Sequence, residues 1–350
     1  MTSSRPPGPR QPTLEDVARS AGVSRATVSR VVNGTRNVDP EIQRIVQEAV
    51  AATGYVPNRA ARTLVTRRTD SVALVFSVPA HRTADDPFLG QVFSDPFFGR
   101  VVGGLLTVLR PRGVHPVLML ADSEDARHTL VANLRQEHID GVALVSIAPG
   151  DSLPLLLTEA GLPTVLFARP STPIPISYVD VAQQAGARLA AERLLARGCR
   201  RITTIAGPFD SPAGQDRLAG FREAMAEHGY AYVPSVEGSF TQAGGERAMH
   251  ELLERYPDTD GVFVANDLMA QGALLVLRDQ GRRVPDDVAV IGFDDSSAAQ
   301  ASRPLLTTIR QPVEDMAAEM ARLLLARIDD PRQDTRSVIF RTTLVERDSG

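Results

Sequence analysis

Apolar residues follow a helical spacing in the first part of the chain and change, from residue 71 onward, to short apolar runs that alternate with amphipathic segments. Spacings of three and four residues are typical of helices, whereas short apolar runs bounded by turn residues are typical of buried strands. Strands and helices in regular alternation predict parallel sheets with helices on both faces. The pattern therefore predicts a small all-α unit followed by a larger α/β body.

The segment 13–33 predicts two short helices joined by a tight turn. Gly22 supplies the positive φ that ends the first helix and turns the chain. Ser24 is placed to cap the second helix, and the valines of that helix point inward. Asp39 followed by Pro40 marks the start of a third helix. Together these segments predict a small helix-turn-helix unit with its own core.

The outer face of the second helix carries Arg25, Ala26 and Arg30. Arginine can make bidentate hydrogen bonds to guanine, and alanine can contact a thymine methyl group in the major groove. These three residues are the predicted base-reading set, although arginine pairs are also usual on solvated helix faces. Short polar side chains that suit DNA phosphates, or else cap the helices, are Thr13, Ser24, Thr27, Ser29 and Asn33.

Charge is distributed unevenly along the chain. Residues 1–70 hold 11 arginines and six acidic residues, whereas the remainder holds 27 arginines and 36 acidic residues. The basic part is the part that carries the three helices. We therefore expect this part, and not the acidic body, to meet a polyanion such as double-stranded DNA.

The motifs TLEDVARSAGVSRATVSRVVNG and GYVPNRAARTL resemble the lactose-repressor (LacI) family of bacterial transcription regulators. The resemblance implies that the second motif is a hinge helix that orders on operator DNA and places a leucine in the minor groove. The matching residues are Asn58, Ala61 and Leu64, with Leu64 as the wedge. So short a helix is marginal alone in water, and apolar wedges are used in minor grooves. Alternatively, Leu64 only packs onto the next domain.

The rest of the chain resembles the two-lobed, periplasmic-binding-protein-like body of the same family. The signatures are SDPFF, RRITTIAGP, RLAGF, VFVANDLMAQGAL, VIGFDD and PLLTTIRQP. The expected domains are a disordered tail (1–12), a helix-turn-helix DNA-binding domain (13–56), a hinge helix with linker (57–70) and an effector-binding and dimerisation body (71–350). Lobe 1 is expected at about 71–172 plus 311–335, and lobe 2 at about 173–310 plus 336–347, with one closing strand at 337–344.

Polar residues at the carboxyl ends of strands face the ligand crevice in open α/β sheets. That rule and the family resemblance together predict the effector contacts Arg169, Arg188, Phe240, Asn266, Asp294 and Gln311. Their chemistry suits a sugar or a nucleoside-like metabolite. Phe240 can equally be ordinary core, and one member of each of the pairs Asn266-Asp267 and Asp294-Asp295 can cap a helix or fix a loop.

The sequence departs from the family at two places that bear on effector specificity. Ala182-Gln183 stands where the family commonly has an Asp-Asn pair, so one wall of the cleft loses a carboxylate. The segment 79–93 is longer and more polar than usual. Both changes put specificity for a sugar in question.

Motifs for catalysis, for a cofactor and for a metal are missing from the sequence. It contains no P-loop and no G-x-S-x-G elbow, the six histidines lack metal-ligand spacing, and the single cysteine, Cys199, excludes an intrachain disulfide framework. Residues 1–12 lack the apolar stretch of a signal peptide, and no segment is long enough to span a bilayer. We therefore expect a cytoplasmic protein that is not an enzyme, does not bind a membrane and uses no cofactor.

The predicted function is an effector-controlled repressor that binds a palindromic operator as a homodimer, with a small metabolite between its lobes. Two-fold symmetry of the dimer would be matched by the operator. Two other classes stay open: a constitutive architectural DNA-binding protein, and a solute-binding protein or enzyme on the same fold. The helix-turn-helix motif and the missing signal peptide argue against the last of these.

Overall fold

The computed structural model describes residues 12–32, 38–55, 68–78, 95–136, 138–146 and 150–350. The predicted tail, apart from its last residue, lies outside the described residues, as do Asn33, Asn58, Ala61 and Leu64. The chain forms two compact units, Met1–Thr69 and Asp70–Gly350, which we call the head and the body.

The described residues of the head form three helices, α1 (Leu14–Ala21), α2 (Arg25–Val32) and α3 (Pro40–Thr53). Thr13 and Asp16 form a capping box at the start of α1, because each side chain accepts a hydrogen bond from the backbone N–H of the other. Gly22 ends α1 at a φ of 64°, which glycine adopts without steric cost. The head core forms where the three helices meet, at Val17, Val28 and Val46.

The described part of the body forms two six-stranded sheets, one in each lobe. Lobe 1 is built from β1 (Ser71–Ser77), α4 (Pro96–Leu109), β2 (His115–Ala121), α5 (Glu124–Gln136), β3 (Gly141–Ser146), α6 (Leu153–Glu159), β4 (Thr164–Phe167) and β5 (Ser177–Val181). Lobe 2 is built from α7 (Gln183–Ala196), β6 (Ile202–Ala206), α8 (Pro212–Glu227), β7 (Ser235–Glu237), α9 (Gln242–Arg255), β8 (Gly261–Val264), α10 (Asp267–Asp279), β9 (Ala289–Asp294), α11 (Ser297–Ala301) and β10 (Thr307–Arg310).

The C-terminal segment returns to both lobes. Helix α12 (Val313–Asp329) and strand β11 (Ser337–Phe340) complete lobe 1, and β12 (Thr343–Val345) completes lobe 2. The strand orders are β11-β5-β4-β3-β1-β2 in lobe 1 and β12-β10-β9-β8-β6-β7 in lobe 2. Every pairing is parallel except β10 with β12.

The lobe boundaries predicted from the sequence are wrong at two places. Strand β5 was expected to open lobe 2, but it pairs in parallel with β4 in lobe 1. The expected closing strand at 337–344 is two strands in different sheets, since β11 pairs with β5 and β12 pairs with β10. The chain crosses between the lobes at this point, and hydrophobic pattern alone does not show to which sheet a short apolar run is added.

Each sheet is covered by helices on both faces. In lobe 1, one core lies under α4 and α12 and the other under α5 and α6. In lobe 2, one core lies under α9 and α10 and the other under α7 and α8. The chain crosses between the lobes three times: between β5 and α7, between β10 and α12, and between β11 and β12. We call these segments the first, second and third crossings.

Candidate functional site

Helix α2 separates its apolar and polar residues onto opposite faces. Val28 is fully buried in the head core, whereas Arg25, Ala26 and Arg30 are exposed. The structure therefore places the three predicted base-reading residues on the surface of one short helix. A helix of this size with a cationic outer face has the dimensions that fit a major groove.

Arg25 is held across the turn by Glu15 of α1, with Nε 2.8 Å from the Glu15 carboxylate. Both side chains are more than half exposed. An exposed ion pair of this kind contributes at most about 1 kcal/mol. Arg25 can therefore exchange Glu15 for a nucleic acid contact at low cost.

The short polar residues of the head have local structural roles. Thr13 caps α1, and Ser24 accepts the backbone N–H of Thr27 and shares a 2.8 Å hydrogen bond with its hydroxyl. Ser24 is exposed, while Thr27 and Ser29 are half-buried. Capping leaves room for a phosphate at the same helix start, because the first backbone N–H groups of a helix attract anions. Their predicted phosphate contacts stay predictions.

In the body, the residue at the centre of the polar cluster between the lobes is Arg217 of α8, which is 5% exposed. Its Nε–H donates to Gln183 Oε1 at 2.8 Å, from the first crossing. An Nη2–H donates to Gln311 Oε1 at 3.1 Å, from the second crossing. An Nη1–H donates to the carbonyl oxygen of Ala265, at the end of β8. One guanidinium thus connects two of the three crossings with the edge of the lobe 2 sheet.

Arg217 has hydrogen-bond donors to spare. A guanidinium has five N–H groups, and among the described residues only three acceptors lie within hydrogen-bonding distance. The nearest carboxylate, Asp294 Oδ1 at the end of β9, is 3.7 Å from Nη1 and lies beyond that distance. Two N–H groups therefore remain available to a ligand that brings oxygen acceptors.

Two phenylalanines bound this cluster with flat apolar surfaces. The Arg217 guanidinium carbon lies 3.7 Å from the ring centroid of Phe293 and 5.9 Å from that of Phe240. Phe240 is half-buried, and a Cβ at Gly207 would lie 2.4 Å from its ring. Glycine at the end of β6 is therefore what lets Phe240 lie there. Aromatic faces next to polar donors suit ligands that present both C–H surfaces and hydroxyls.

Two of the predicted site residues have unusual backbone conformations. Phe240 has a φ of 58° and Asp294 a φ of 119°. Side chains other than glycine rarely adopt positive φ, and such strain concentrates at binding sites. Phe240 lies between the lobe 2 core, against which it packs, and Arg217, while the Asp294 carboxyl lies 3.7 Å from Arg217.

Burial is the main cause of the pKa shifts of Asp294 and Arg217 in this cluster. It raises the pKa of Asp294 to about 8, with the carboxylates of Asp267 and Asp95 adding to the effect and the guanidinium of Arg217 opposing it. Burial likewise lowers the pKa of Arg217, against the pull of Asp294 and Asp180. A ligand without net charge suits such a cluster, because it brings no further charge into a buried site.

The carboxylates next to Asn266 and Asp294 hold the loops of lobe 2. Asp267 is fully buried and accepts hydrogen bonds from the Ser296 backbone N–H at 2.7 Å and from the Thr308 hydroxyl at 2.6 Å. Asp295 pairs with Arg310 at 2.7 Å and with Arg347. Asp295 therefore has a structural role, and the predicted contact of Asp294 with an effector stays a prediction.

Asn266 has a structural role as well. Its carbonyl oxygen caps α10 by accepting the Met269 backbone N–H at 2.9 Å, and its amide donates to the carbonyl oxygen of Phe240 at 3.0 Å. Asn266 thus fixes the loop that carries Phe240, and its predicted contact with an effector stays a prediction. Gln311 lies at the second crossing, as predicted, and contacts Arg217.

The two other predicted arginines are not in the Arg217 cluster. Arg169 of lobe 1 reaches across to Asp216 of lobe 2, with Nε 2.9 Å from the carboxylate, and lines a cavity of about 370 Å³ beside the first crossing. Arg188 pairs with Glu227 at 2.9 Å and with Glu223, both on the outer part of α8. These ion pairs are partly exposed, and the predicted contact of Arg188 with an effector stays a prediction.

Sequence reasoning missed Arg217, Gln183 and Asp180 as members of the site. Arg217 was visible only as part of the RLAGF signature. A usable signal was present in α8: Gly214, Arg217, Phe221 and Ala224 share the buried face at helical spacing. An arginine on a buried helix face needs hydrogen-bond acceptors that are buried as well. Its presence therefore predicts a polar cluster inside the fold.

Comparison with known proteins finds matches for both the head and the body. Residues 13–58 match the model of bacterial regulatory proteins of the lacI family, and residues 191–350 match the periplasmic binding protein-like domain. The HTH-type transcriptional regulator CelR of Thermobifida fusca is 46% identical over 346 residues, which cover 97% of this chain and 99% of CelR. The ribose operon repressor of Halalkalibacterium halodurans is 33% identical over 340 residues, covering 96% of each chain.

Solved structures give the same result. The complex of the transcriptional regulator CelR with cellobiose has a TM-score of 0.76 and 44% identity, covering 97% of this chain and 100% of that one. The lac repressor dimer bound to operator and the anti-inducer ONPF has a TM-score of 0.80 and 25% identity, covering 97% and 99%.

A helix-turn-helix head and a two-lobed body with a polar cleft define a class of ligand-responsive, DNA-binding transcriptional regulators, which are not enzymes. Within that class, the chain belongs to the LacI family. Among the described residues, no group of three or more His, Cys, Asp or Glu side chains could hold a metal ion. None of the described helices combines the length and the apolar character needed to cross a bilayer.

Proposed function

We propose that this protein is a cytoplasmic repressor that binds a palindromic operator as a homodimer, and that cellobiose or a closely related β-linked disaccharide is its effector. The observation that carries the effector proposal is the buried Arg217, which has two N–H donors to spare beside Asp294 and the Phe240 ring. Hydroxyl-rich rings match this combination of donors, acceptors and flat apolar surface.

The choice of a disaccharide rests on similarity. A relative of 44% identity was solved as a complex with cellobiose, whereas a repressor of the ribose operon is 33% identical. A neutral sugar adds no further charge to the buried cluster of Arg217 and Asp294. Cellobiose therefore fits the site better than a charged metabolite.

Cellobiose binding is tested by calorimetry with the full chain, with the monosaccharides ribose and glucose as controls. We expect saturable binding of cellobiose and a change in operator affinity at the same concentrations. Binding of ribose in preference to cellobiose, or binding of neither, would overturn the effector proposal. The sign of the change in operator affinity identifies cellobiose as inducer or co-repressor.

DNA reading by the head is tested with Arg30→Ala and Arg25→Ala. Each should weaken binding to the preferred operator by about 1–3 kcal/mol and relax base preference at one position of each half-site. A uniform loss across all DNA sequences would assign both arginines to phosphates instead.

The homodimer proposal is supported by apolar residues exposed on lobe 1. Leu118 and Val117 of β2, an edge strand, are 47% and 38% exposed, and Leu106 of α4 is 37% exposed. Two copies of one face bury such residues symmetrically. Leu118→Asp should shift the protein from dimer to monomer in light scattering and weaken operator binding, because each operator half-site then binds independently.

The proposed minor-groove wedge, Leu64, rests on the sequence resemblance. Leu64→Ala should weaken operator binding while cellobiose binding stays unchanged. Unchanged operator affinity would mean that Leu64 has only a packing role. Because the two binding events are measured separately, a folding defect would be visible in both.

A further inference from the structure

Gln183 is the first residue of helix α7 of lobe 2, at the end of the first crossing from strand β5 of lobe 1, and is 6% exposed. Its amide Nε2 donates to Asp180 Oδ1 at 3.1 Å, and its Oε1 accepts the Nε–H of Arg217 at 2.8 Å. A single side chain therefore links a carboxylate of lobe 1 to the central cation of the cleft.

The orientation of the Gln183 amide is determined by Asp180. Asp180 is 3% exposed, and its carboxylate also accepts the backbone N–H groups of Val181 at 2.7 Å and Arg169 at 3.1 Å. A carboxylate so held can only accept hydrogen bonds, so the NH₂ of Gln183 must face it. The carbonyl oxygen of Gln183 is then left for Arg217, which can only donate.

Gln311 holds the other end of the same guanidinium from the second crossing, and it is 4% exposed. Because a guanidinium is planar and rigid, two fixed acceptors on Nε and Nη2 determine the direction of all five N–H groups. Both acceptors are neutral amides, so Asp294 at 3.7 Å remains the nearest counter-charge. Three hydrogen bonds to neutral acceptors thus fix the plane of the Arg217 guanidinium.

We propose that Gln183 is a positioning residue for effector recognition: held by Asp180, it aims the N–H donors of Arg217 into the cleft and makes the cleft selective for neutral ligands with oxygen acceptors. This rests on the proposed function only for the identity of the ligand. The family's common Asp-Asn pair at 182–183 is Ala182-Gln183 here, and the longer amide reaches both Asp180 and Arg217.

The orientation of Arg217 is measured without any ligand, by proton exchange of arginine Nε–H groups in NMR spectra of the full chain. The Arg217 signal is assigned by its loss in Arg217→Lys. We expect a slowly exchanging signal in the wild type, because its acceptor is buried, and fast exchange in Gln183→Met. Gln184→Met makes the same change at the next residue, which is exposed, and should leave the signal protected.

Recognition is measured with cellobiose as the probe. Gln183→Met should weaken cellobiose binding about 10- to 100-fold, the range expected when one hydrogen bond from a charged group is misdirected. Gln184→Met should stay within about twofold of the wild type, well below the effect of one lost hydrogen bond. In the Arg217→Lys background, Gln183→Met should add less than about twofold, since residues that act through one another are not additive.

Each outcome decides the proposal. A protected Arg217 Nε–H in Gln183→Met, or losses of affinity that multiply in the double variant, would overturn it and leave Gln183 with a structural role. If wild-type protein binds no cellobiose, the effector proposal fails, while the exchange measurement still tests the positioning of Arg217. If Gln183→Met does not fold, Gln183→Asn, which is one methylene too short to reach both partners, is measured in its place.

Discussion

Replacing Arg217 by methionine removes the cation at the centre of the cleft while keeping a long side chain. Three buried acceptors lose their donor: the side-chain oxygens of Gln183 and Gln311 and the carbonyl oxygen of Ala265. Asp294 loses its nearest counter-charge at the same time. The body is therefore expected to lose stability although methionine is more easily buried than arginine.

The size of the loss follows from burial. Removing one partner of a buried charged pair costs about 3–5 kcal/mol, because the groups left behind have no water to replace it. Protonation of Asp294, whose pKa is already raised to about 8, relieves part of this cost. We therefore expect Arg217→Met to lower the free energy of unfolding of the body by about 3 kcal/mol at neutral pH.

Arg188→Met is the matched control. Arg188 lies on the neighbouring helix α7 and pairs with Glu227 and Glu223, but its side chain is 32% exposed and those of its partners are more than half exposed. Exposed pairs contribute about 0–1 kcal/mol. The two variants make the same chemical change and differ in the burial of the arginine, so their difference isolates the effect of burial.

The free energy of unfolding of both variants is measured by urea titration monitored by circular dichroism, since the chain has no tryptophan whose fluorescence could be used. Equal losses in the two variants would refute the reasoning, because they would show that the Arg217 cluster gains nothing from its burial. The double variant Arg217→Met/Asp294→Asn should recover part of the loss, and a further loss there would show that Asp294 is not the partner of Arg217.

Three further predictions concern other parts of the molecule. Because burial raises the pKa of Asp294 from 3.8 to about 8, the folded body binds a proton more tightly than the unfolded chain, so its free energy of unfolding should fall as pH rises through this range, and Asp294→Asn should flatten the pH profile measured by urea unfolding. Val28→Ala should cost the head about 1–3 kcal/mol and abolish operator binding in gel shifts while the body's melting temperature stays unchanged, because Val28 is fully buried in the small core of the head. Arg169→Ala removes a partly exposed pair between the lobes, so it should change unfolding by less than about 1 kcal/mol yet widen the body's dimensions in X-ray scattering; an unchanged scattering profile would argue that the pair does not restrain the lobes.

The fold was largely predictable because the apolar pattern in this chain is regular. Helical spacing in the head and alternating runs in the body predicted the elements that the structure shows. The strand-end rule pointed to Asp294 and the expected crossing to Gln311, and both lie beside Arg217. The lobe assignment of β5 and β11 was not predictable, since both are short strands whose apolar residues fit either sheet. Their partners are decided by the crossings between the lobes, which are long-range contacts.

The site was predictable only where a polar residue ends a strand. Arg217 lies on a helix, and Gln183 acquires its role through Asp180, a residue three positions away in a different lobe. Arg188 is a different case: correspondence in sequence predicts that it contacts an effector, and in the structure it is paired with a glutamate on α8. Helix orientation is determined by packing, which single-residue patterns do not contain.

The position of Arg217 provides a way for ligand binding in the cleft to change the crossings between the lobes. Its acceptors Gln183 and Gln311 lie at two of the three crossings, so a ligand that draws the guanidinium toward itself must lengthen or redirect hydrogen bonds at both. Each such hydrogen bond to a charged group is worth about 1.5–3 kcal/mol, and a coupling of about 1–3 kcal/mol is typical of allosteric regulators. Loss of part of one bond at each crossing is therefore enough to shift the lobe angle, without any ligand contact to the crossings themselves. Ligand binding can shift the equilibrium between two lobe arrangements only by the difference in its binding free energy for them. In this cleft, that difference depends on how many of the spare N–H donors of Arg217 are hydrogen-bonded to the ligand in each arrangement.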